Sequence, residues 1–339
     1  LAVAQPSFSS AFNQGFALGD EPMVVAAITI IDDPHVAGIT ANRDVRIVVP
    51  DSRAIKWDVT SEPTAKGDVR ATAKIINGDT LLVDVEENLA PGDTLVVSGA
   101  RMVFVDLFPR GNLQVSLNGG ETINLQDPFW IEVGKPSILT DRYHVFDIDE
   151  RDGVLAGVTI REDSTAASIT PENDIRIYLP EGIHWGKTGD DTRIPLEGIV
   201  SGSAVDKISQ NKEGVIIGPD NRGLLISVEI PLETADELNI VELPVRFARQ
   251  LPLSPLQLVI TPGQKDRDGD EAADEDTGDY LAGVDAEDSF GVGVGNPELY
   301  FLSVTPRDTL FVSGDQERSL PRIIIKESDS AAVTNVWDD

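Results

Sequence analysis

An internal repeat constrains the fold of this chain more than any other feature of its sequence. Residues 29–33 recur as 159–163, and residues 44–50 recur as 174–180, so both pairs are separated by 130 positions. Pro6-Ser7 maps onto Pro136-Ser137 with the same offset. A repeat of this length indicates two copies of one folded unit rather than a single continuous domain.

The offset between the copies increases along the chain, which locates two insertions. Residues 81–85 match 224–228 with an offset of 143, so the second copy gained 13 residues around 186–223. Further on, 134–136 match 295–297 with an offset of 161, which adds 18 residues. The second insertion replaces a short turn at 118–121 and contains a strongly acidic run.

A third copy begins after the second. Residues 323–328 resemble those at 29 and 159, and the chain ends at Asp339 before this copy completes a core. Either more repeats follow in the natural protein, or this strand completes a sheet in a neighbouring subunit by strand addition. The predicted domains are 1–134, 135–295 with the acidic insertion at about 263–288, and 296–339 as a partial repeat or exchanged strand.

The pattern within each copy predicts β-structure. Short Val/Ile/Leu-rich segments are bounded by Gly, Pro, Asn and Asp, and none keeps a helical period over three turns. Asn77-Gly78-Asp79 and Pro91-Gly92-Asp93 are turn sequences. We therefore expect an all-β chain of tandem Ig-like or jelly-roll-type β-sandwiches with a partial third copy. The expected strands of the first copy lie near 23–32, 44–50, 69–76, 80–86, 93–98, 101–106, 112–117 and 129–133.

Composition excludes several classes of function. The chain has 58 acidic and 27 basic residues, a net charge of −31, which disfavours nucleic acid and anionic membrane surfaces as partners. It has no cysteine, so disulfides and thiolate chemistry are absent. No apolar run approaches the roughly 18–20 residues that would span a bilayer. We expect neither a nucleic-acid partner nor a direct membrane span.

The acidic run at 266–276 is the candidate metal site. Crowding carboxylates into one short loop is unfavourable unless a cation neutralises them, and calcium takes six to eight oxygen ligands at roughly 2.3–2.6 Å. Gly269 would permit a tight turn. A solvated charged loop is the alternative. Because the first copy lacks the insertion, calcium would act on the second copy specifically. The predicted calcium ligands are Asp266, Asp268, Asp270, Asp274 and Asp276.

A second acidic cluster, at 147–152, lies near the start of the second copy. It is interpreted as a charged surface turn. The alternative is a calcium ion between domains, which would rigidify a tandem array much as in cadherin-like proteins.

No pattern predicts catalysis. The three histidines, His35, His144 and His184, are not repeated, and no Gly-x-Ser-x-Gly elbow is present. Trp57 and Trp185 occupy matching positions, either as repeated core anchors or as platforms for stacking sugars. We expect no enzyme activity, no catalytic residue and no cofactor other than calcium.

The motifs resemble a known family. The segments 159–163, Ile169-Thr170, 174–180 and Trp185, with 92–99 of the first copy, resemble tandem β-sandwich repeats of bacterial cell-surface and S-layer-like proteins. The second copy does not match the motif at 92–99, and its corresponding residues are 236–242. The acidic loop is similar to the calcium repeats of thrombospondin type 3 and dockerin modules. It is not a standard EF-hand, because Glu271 and Thr277 replace the turn glycine and the bidentate glutamate.

This resemblance implies an extracellular, cell-surface location. The expected function is a calcium-stabilised structural scaffold that assembles with copies of itself into a surface layer, stalk or filament. The alternative is a carbohydrate-binding or adhesin module of a larger secreted protein, with surface glycans as partners.

Overall fold

The computed structural model describes residues 4–41, 44–117, 121–189, 191–218, 220–260, 284–295, 298–302 and 322–326. At 121–124, 156, 298–302 and 322–326 the description is of the backbone alone. All regular elements in these residues are β-strands. This part of the chain accordingly contains no helix that could cross a membrane.

The first sandwich is built from fifteen short strands. They are β1 (Ser7–Ser10), β2 (Gln14–Ala17), β3 (Met23–Val24), β4 (Ile28–Ile31), β5 (Val45–Val48), β6 (Ile55–Trp57), β7 (Thr64–Gly67), β8 (Ala71–Ile76), β9 (Thr80–Val85), β10 (Thr94–Ser98), β11 (Arg101–Phe104), β12 (Phe108–Gly111), β13 (Gln114–Leu117), β14 (Glu121–Gln126) and β15 (Ile131–Gly134).

The second sandwich repeats this order, and two strands follow it. Its strands are β16 (Ser137–Thr140), β17 (His144–Asp147), β18 (Asp152–Arg161), β19 (Ile175–Tyr178), β20 (Ile183–Trp185), β21 (Arg193–Pro195), β22 (Val200–Ser201), β23 (Glu213–Ile217), β24 (Gly223–Ile226), β25 (Glu237–Phe247), β26 (Leu251–Ser254), β27 (Gln257–Val259), β28 (Ala286–Glu287) and β29 (Val292–Gly295). The last two strands are β30 (Glu298–Leu302) and β31 (Arg322–Lys326).

The two sandwiches share one topology. In the first sandwich, one layer consists of the sheet β1-β4-β10-β7 and the short sheet β3-β11-β6. This layer faces the sheet β14-β13-β5-β9-β8 across the core. In the second, β16-β18-β25-β20 faces β21-β23-β24-β19-β27-β28. A small sheet lies at one end of each, β12-β15-β2 and β26-β29-β17, and contains a parallel pair. The prediction of an all-β fold with tandem β-sandwiches is confirmed.

Alternating side chains fill the space between the layers. In β5, Val45 and Ile47 are buried while Arg46 and Val48 are partly exposed. β10 alternates in the same way. Each sandwich has its own cluster of buried apolar residues, so each contains a core large enough to stabilise it.

Both predicted turns form as expected. The three residues 77–79 join β8 to β9, since Ile76 pairs with Thr80, and Asn77 and Gly78 have left-handed φ of 59° and 70°. Gly92 has φ of 84°, and the Asp93 N–H donates to the Ala90 carbonyl at 3.0 Å. Pro91-Gly92 therefore occupies the two central positions of a type II turn.

Buried carboxylates close matching loops in both sandwiches. Asp127 accepts hydrogen bonds from the N–H groups of Ser10 and Phe129, each at 3.0 Å. Asp288 accepts equivalent bonds from Thr140 at 3.0 Å and Phe290 at 3.1 Å. The same type of contact in both copies therefore ties the first strand of the copy to a loop near its end.

The strands β30 and β31 pair antiparallel. Tyr300 is registered opposite Ile324, as Phe8 is opposite Ile30 and Ile138 is opposite Ile160. The third segment therefore begins with the same strand pair as the first two copies. The three domain boundaries given above stay a prediction.

The left-handed turn at Gly92 should be sensitive to substitution. Gly92→Ala introduces no contact within 4 Å, so any destabilisation reports backbone conformation alone. We expect a loss of about 1–2 kcal/mol in the unfolding free energy of the first sandwich, measured by denaturant titration. Gly189→Ala, also in open space but without a left-handed φ, is the matched control and should leave stability unchanged. Equal stabilities of the two variants would contradict the assignment.

Candidate functional site at the junction between the repeats

The two sandwiches contact each other directly through their backbones. The end of the first sandwich is the parallel pair β2–β15, which faces the loop at 162–174 of the second sandwich, here called the junction loop. A Cβ atom added to Gly15 would lie 2.2 Å from the Ser168 carbonyl oxygen. A Cβ atom added to Gly134 would lie 2.4 Å from the Ala166 carbonyl oxygen. Ala17 packs into the core cluster of the second sandwich. Only glycine permits this approach at Gly15 and Gly134.

Hydrogen bonds cross the junction and fix its geometry. Asn173 Nδ2 donates to the Gly15 carbonyl at 3.1 Å and to the Ser168 carbonyl at 2.6 Å. The Ala167 N–H donates to Glu132 Oε1 at 2.9 Å. Each of these groups is buried, so water cannot replace the bonds, and the relative placement of the sandwiches is specified.

Glu132 is charge-compensated on the side of the first sandwich. Its Oε2 accepts hydrogen bonds from Arg110 at 3.0 and 3.1 Å, although Glu132 itself is only 4% exposed. The Arg110 guanidinium lies over the Trp130 ring, 4.2 Å from its centroid. Glu132 therefore bridges an arginine of one sandwich and a backbone N–H of the other, which is how a buried carboxylate is tolerated.

The junction loop is held by the repeated acidic pair that follows β18. Glu162 Oε1 accepts hydrogen bonds from the N–H groups of Ser168, at 2.9 Å, and Ile169. Asp163 Oδ1 accepts from Thr165 N–H at 2.7 Å. In the first sandwich, Asp32 accepts in the same way from Gly38 N–H at 2.9 Å. The repeated acids therefore shape a loop, and in the second copy that loop forms the junction.

Burial raises the pKa of Glu162 to about 7, against the opposing effect of the hydrogen bonds that it accepts from Ile169 and Ser168. The folded state consequently binds a proton more strongly than the unfolded state between pH 4.5 and about 7. The contribution of Glu162 to stability therefore falls as pH rises through this window and is constant above it.

Two carboxyl groups from different sandwiches interact with each other. Asp20 follows β2 and is 8% exposed, and its Oδ2 accepts a hydrogen bond from Ala17 N–H at 3.1 Å. Asp285 precedes β28, and its Oδ2 accepts from Ile260 N–H at 2.5 Å. The two carboxyl groups lie within hydrogen-bonding range of each other. Asp20 Oδ1 is buried and has no hydrogen-bond donor among the described residues.

Burial raises the pKa of Asp20 to about 9, and contact with the Asp285 carboxyl adds to the effect. The Ala17 N–H opposes the shift. Two carboxylates in contact cannot both stay ionised without a compensating cation or a shared proton. This pair joins a residue of the first sandwich to one of the second.

The five predicted calcium ligands, Asp266, Asp268, Asp270, Asp274 and Asp276, lie outside the described residues. The described residues nearest to them along the chain are Ile260 and Val284. The calcium assignment of the five aspartates stays a prediction.

The second acidic cluster lies at the opposite end of the second sandwich. Residues 147–152 form the turn between β17 and β18, and Glu150 occupies the position that Asp20 has in the first copy. The Asp149 N–H donates to Asp147 Oδ1 at 3.0 Å, and most of the turn is exposed. Among the described residues, no group of three or more His, Asp or Glu side chains is arranged to hold a metal.

The tryptophans are core residues rather than binding platforms. Trp57 and Trp185 are 1% and 0% exposed, and Trp185 Nε1 donates to the Ile177 carbonyl at 3.2 Å. A buried indole cannot stack on a sugar, so the structure excludes that function for both residues. The pairing of His144 with Asp141 at 3.2 Å is local to one turn, and burial lowers the pKa of His144.

No family model matches this chain, and no curated protein matches it. Solved structures similar to it include a 35 kDa C-terminal fragment of the major pilin GBS80 of Streptococcus agalactiae, at 10% identity and a TM-score of 0.26. That match covers 76% of this chain and 85% of the pilin fragment. The CupB6 tip adhesin of Pseudomonas aeruginosa matches at 11% identity and a TM-score of 0.20, covering 86% of this chain and 98% of the adhesin.

The collagen adhesin of S. aureus matches at 9% identity and a TM-score of 0.18, covering 87% of this chain and 92% of that one. These neighbours are pilin and adhesin proteins, the general class that the sequence resemblance implied. At TM-scores this low the likeness carries no argument about the function of this chain. S-layer assembly and calcium binding stay predictions.

The glycine contact at the junction predicts the effect of a single methyl group. In Gly15→Ala, the new Cβ would lie 2.2 Å from a backbone oxygen, so the two sandwiches must separate. We expect a larger radius of gyration by small-angle X-ray scattering, with circular dichroism unchanged. Gly189→Ala, which meets nothing within 4 Å, is the control. A scattering profile identical to that of the wild type would refute the close contact.

The raised pKa of Glu162 predicts a pH-dependent stability. In Glu162→Gln, the amide oxygen keeps the acceptor role, but the residue no longer titrates. We expect the decline in unfolding free energy between pH 5 and 8 to be shallower in the variant than in the wild type, as measured by denaturant titration at each pH. Parallel pH profiles for the two proteins would show that Glu162 is not the group responsible.

Proposed function

We propose that this chain is a structural segment of an extracellular surface assembly. Tandem β-sandwiches form a scaffold, calcium bound by the acidic insertion stabilises the second repeat, and copies of the chain assemble into a surface layer, stalk or filament. Such an assembly needs repeats that keep a fixed orientation, because a flexible chain of domains would not hold neighbouring copies at a defined spacing.

The direct junction carries this proposal. Gly15 and Gly134 bring the backbones of two sandwiches together, and Asn173 and Glu132 bond across the contact. Interfaces of this kind limit the motion that is otherwise expected between domains. A rigid junction suits a load-bearing or spacing role better than the role of a freely hinged linker.

The third strand pair supports an array. β31 pairs with β30 as β4 pairs with β1, but β4 also pairs with β10 on its other side. Among the described residues, no strand takes the place of β10 beside β31. A further repeat or a strand from another copy would fill that edge, and both outcomes build an extended assembly.

The outer face of the second sandwich offers a surface for contact between copies. Leu139, Val154 and Val241 are 44%, 47% and 40% exposed on neighbouring strands of one sheet. Scattered exposed apolar residues are common, but three on one sheet face suit burial against another copy.

An adhesin module is the second candidate. Tyr143 is 54% exposed and lies edge-on to Phe290, with ring centroids 5.1 Å apart, which is an arrangement that can receive a ligand. The buried tryptophans remove the sugar-stacking platforms that a carbohydrate-binding function would have used. Glycan binding would therefore need a different surface.

Calcium dependence tests the scaffold proposal. The full chain is heated with calcium and with a chelator, and the same samples are imaged by negative-stain electron microscopy. We expect a higher melting temperature and ordered assemblies with calcium alone. Replacing the five predicted ligand aspartates by asparagine should abolish both effects.

The matched control replaces five exposed glutamates outside the insertion by glutamine and thus makes the same charge change. These residues are Glu21, Glu62, Glu86, Glu87 and Glu197. This variant should respond to calcium like the wild type. A wild-type melting temperature indifferent to calcium, together with single particles under all conditions, would overturn the proposal.

A further inference from the structure

The first sandwich has an open strand edge at a place where the second sandwich has a covered one. β8 lies at the end of the sheet β14-β13-β5-β9-β8, whereas its counterpart β23 pairs with the additional strand β21. We propose that the open edge of β8 binds an extended segment of a partner protein by strand addition. This binding goes beyond the scaffold function and does not depend on calcium.

The correspondence between β8 and β23 follows from the strands with which they pair. Ala73 is opposite Val83. Gly214 is opposite Ile226, which follows Val83 by 143 residues, the offset between the copies in this region. β21 lies in the long loop between β20 and β22 of the second copy, whereas residues 58–63, between β6 and β7, contain no strand.

The backbone of β8 presents hydrogen-bonding groups along this edge. The Glu86 N–H donates to the Arg70 carbonyl at 2.9 Å, so the alternate residues from position 70 onward bond to β9. Ala71, Ala73 and Ile75 therefore direct their N–H and C=O groups away from β9. Among the described residues, no strand pairs with this side of β8.

In the second sandwich, the corresponding groups are bonded to β21. The Ile216 N–H donates to the Thr192 carbonyl at 2.8 Å. The Leu196 N–H donates to the Lys212 carbonyl at 2.6 Å. β21 also adds apolar side chains to the core, since Ile194 and Leu196 are 3% and 0% exposed. The second copy thus shows the kind of occupant that this edge accepts, a strand with apolar residues at alternate positions.

The apolar side chains of β8 are incompletely covered. Ala71, Ala73 and Ile75 pack against the core of the first sandwich but are only partly buried. A bound strand with apolar residues at the positions that Ile194 and Leu196 occupy in the second copy would remove this surface from water.

Charge specifies the partner further. Although the chain has a net charge of −31, Lys66, Arg70 and Lys74 are exposed on or beside β7 and β8, and none of the three forms an ion pair with a described acid. Two β8 strands side by side would bring these like charges together, which disfavours a second copy as the occupant. In the second sandwich, Arg193 lies opposite Val215, the counterpart of Lys74. An acidic residue at the place of Arg193 would face Lys74, so the partner segment carries acids between its apolar residues.

The probe is a fluorescein-labelled peptide with the sequence of residues 191–197, in which Arg193→Glu supplies the acid. Its binding to the full chain is followed by fluorescence anisotropy in the presence of a chelator. We expect saturable binding that is about fivefold tighter than that of the unmodified peptide, because an attractive pair with Lys74 replaces a repulsive one.

Two variants of the full chain locate the site. Ala73→Pro removes an N–H of the open edge and keeps the bonds to β9, which edge strands tolerate, so binding should weaken at least about tenfold. Lys74→Glu should reverse the preference, so that the unmodified peptide binds more tightly than the acidic one. Lys187→Glu makes the same charge change at an exposed position of the second sandwich and should bind both peptides like the wild type.

Three results would overturn the proposal. The first is the absence of saturable binding of the acidic peptide to the wild type at millimolar concentration. The second is an unchanged peptide preference in Lys74→Glu, which would place the binding elsewhere and decides the matter if Ala73→Pro fails to fold. The third is a wild-type chain that sediments as a dimer and a folded Ala73→Pro variant that sediments as a monomer, because a second copy would then cover the edge.

Discussion

Buried carboxylates that accept backbone N–H bonds are the interaction on which both sandwiches depend. Asp127 and Asp288 tie the first strand of each copy to its end, and Asp32 and Glu162 fold the loop after β4 and β18. A buried N–H without a partner costs about 1–3 kcal/mol, so each clamp removes a substantial penalty. In a chain without cysteine, these bonds hold loops that disulfides secure in other small β-domains.

The repeat pattern predicted the architecture well because hydrophobic strands recur at fixed offsets. The turns at Asn77-Gly78 and Pro91-Gly92 were also predictable, since their backbone conformations require those residue types. Strands such as β1, β2 and β7 were missed because they are four residues long and carry Ser, Gln, Gly or Lys rather than alternating apolar residues. Their pairing is decided by neighbouring strands, which local sequence does not reveal.

The junction could not be predicted from the sequence for a different reason. Asp20 and Asp285 are far apart along the chain and belong to different copies, so no motif connects them. The repeated acids at Asp32 and Glu162 were recognised as part of a structural pattern, but their role as loop clamps depends on three-dimensional contacts. No local pattern links these positions, because the contact between Asp20 and Asp285 forms only in the folded chain.

The strongly acidic composition therefore serves several physical purposes. Some carboxylates are satisfied by N–H groups, Glu132 is satisfied by Arg110, and exposed acids are solvated. Asp20 and Asp285 each accept a backbone N–H, and their carboxyl groups also interact with each other between the two sandwiches.

The most direct test is a crystal structure of the chain that contains both sandwiches. The junction described above predicts that Asn173 Nδ2 donates to the Gly15 carbonyl and that the Ala167 N–H donates to Glu132 in that crystal. It also predicts that Gly15 packs on the Ser168 carbonyl in the same crystal. Two sandwiches whose backbones are separated at Gly15, with Asn173 bonded elsewhere, would contradict it.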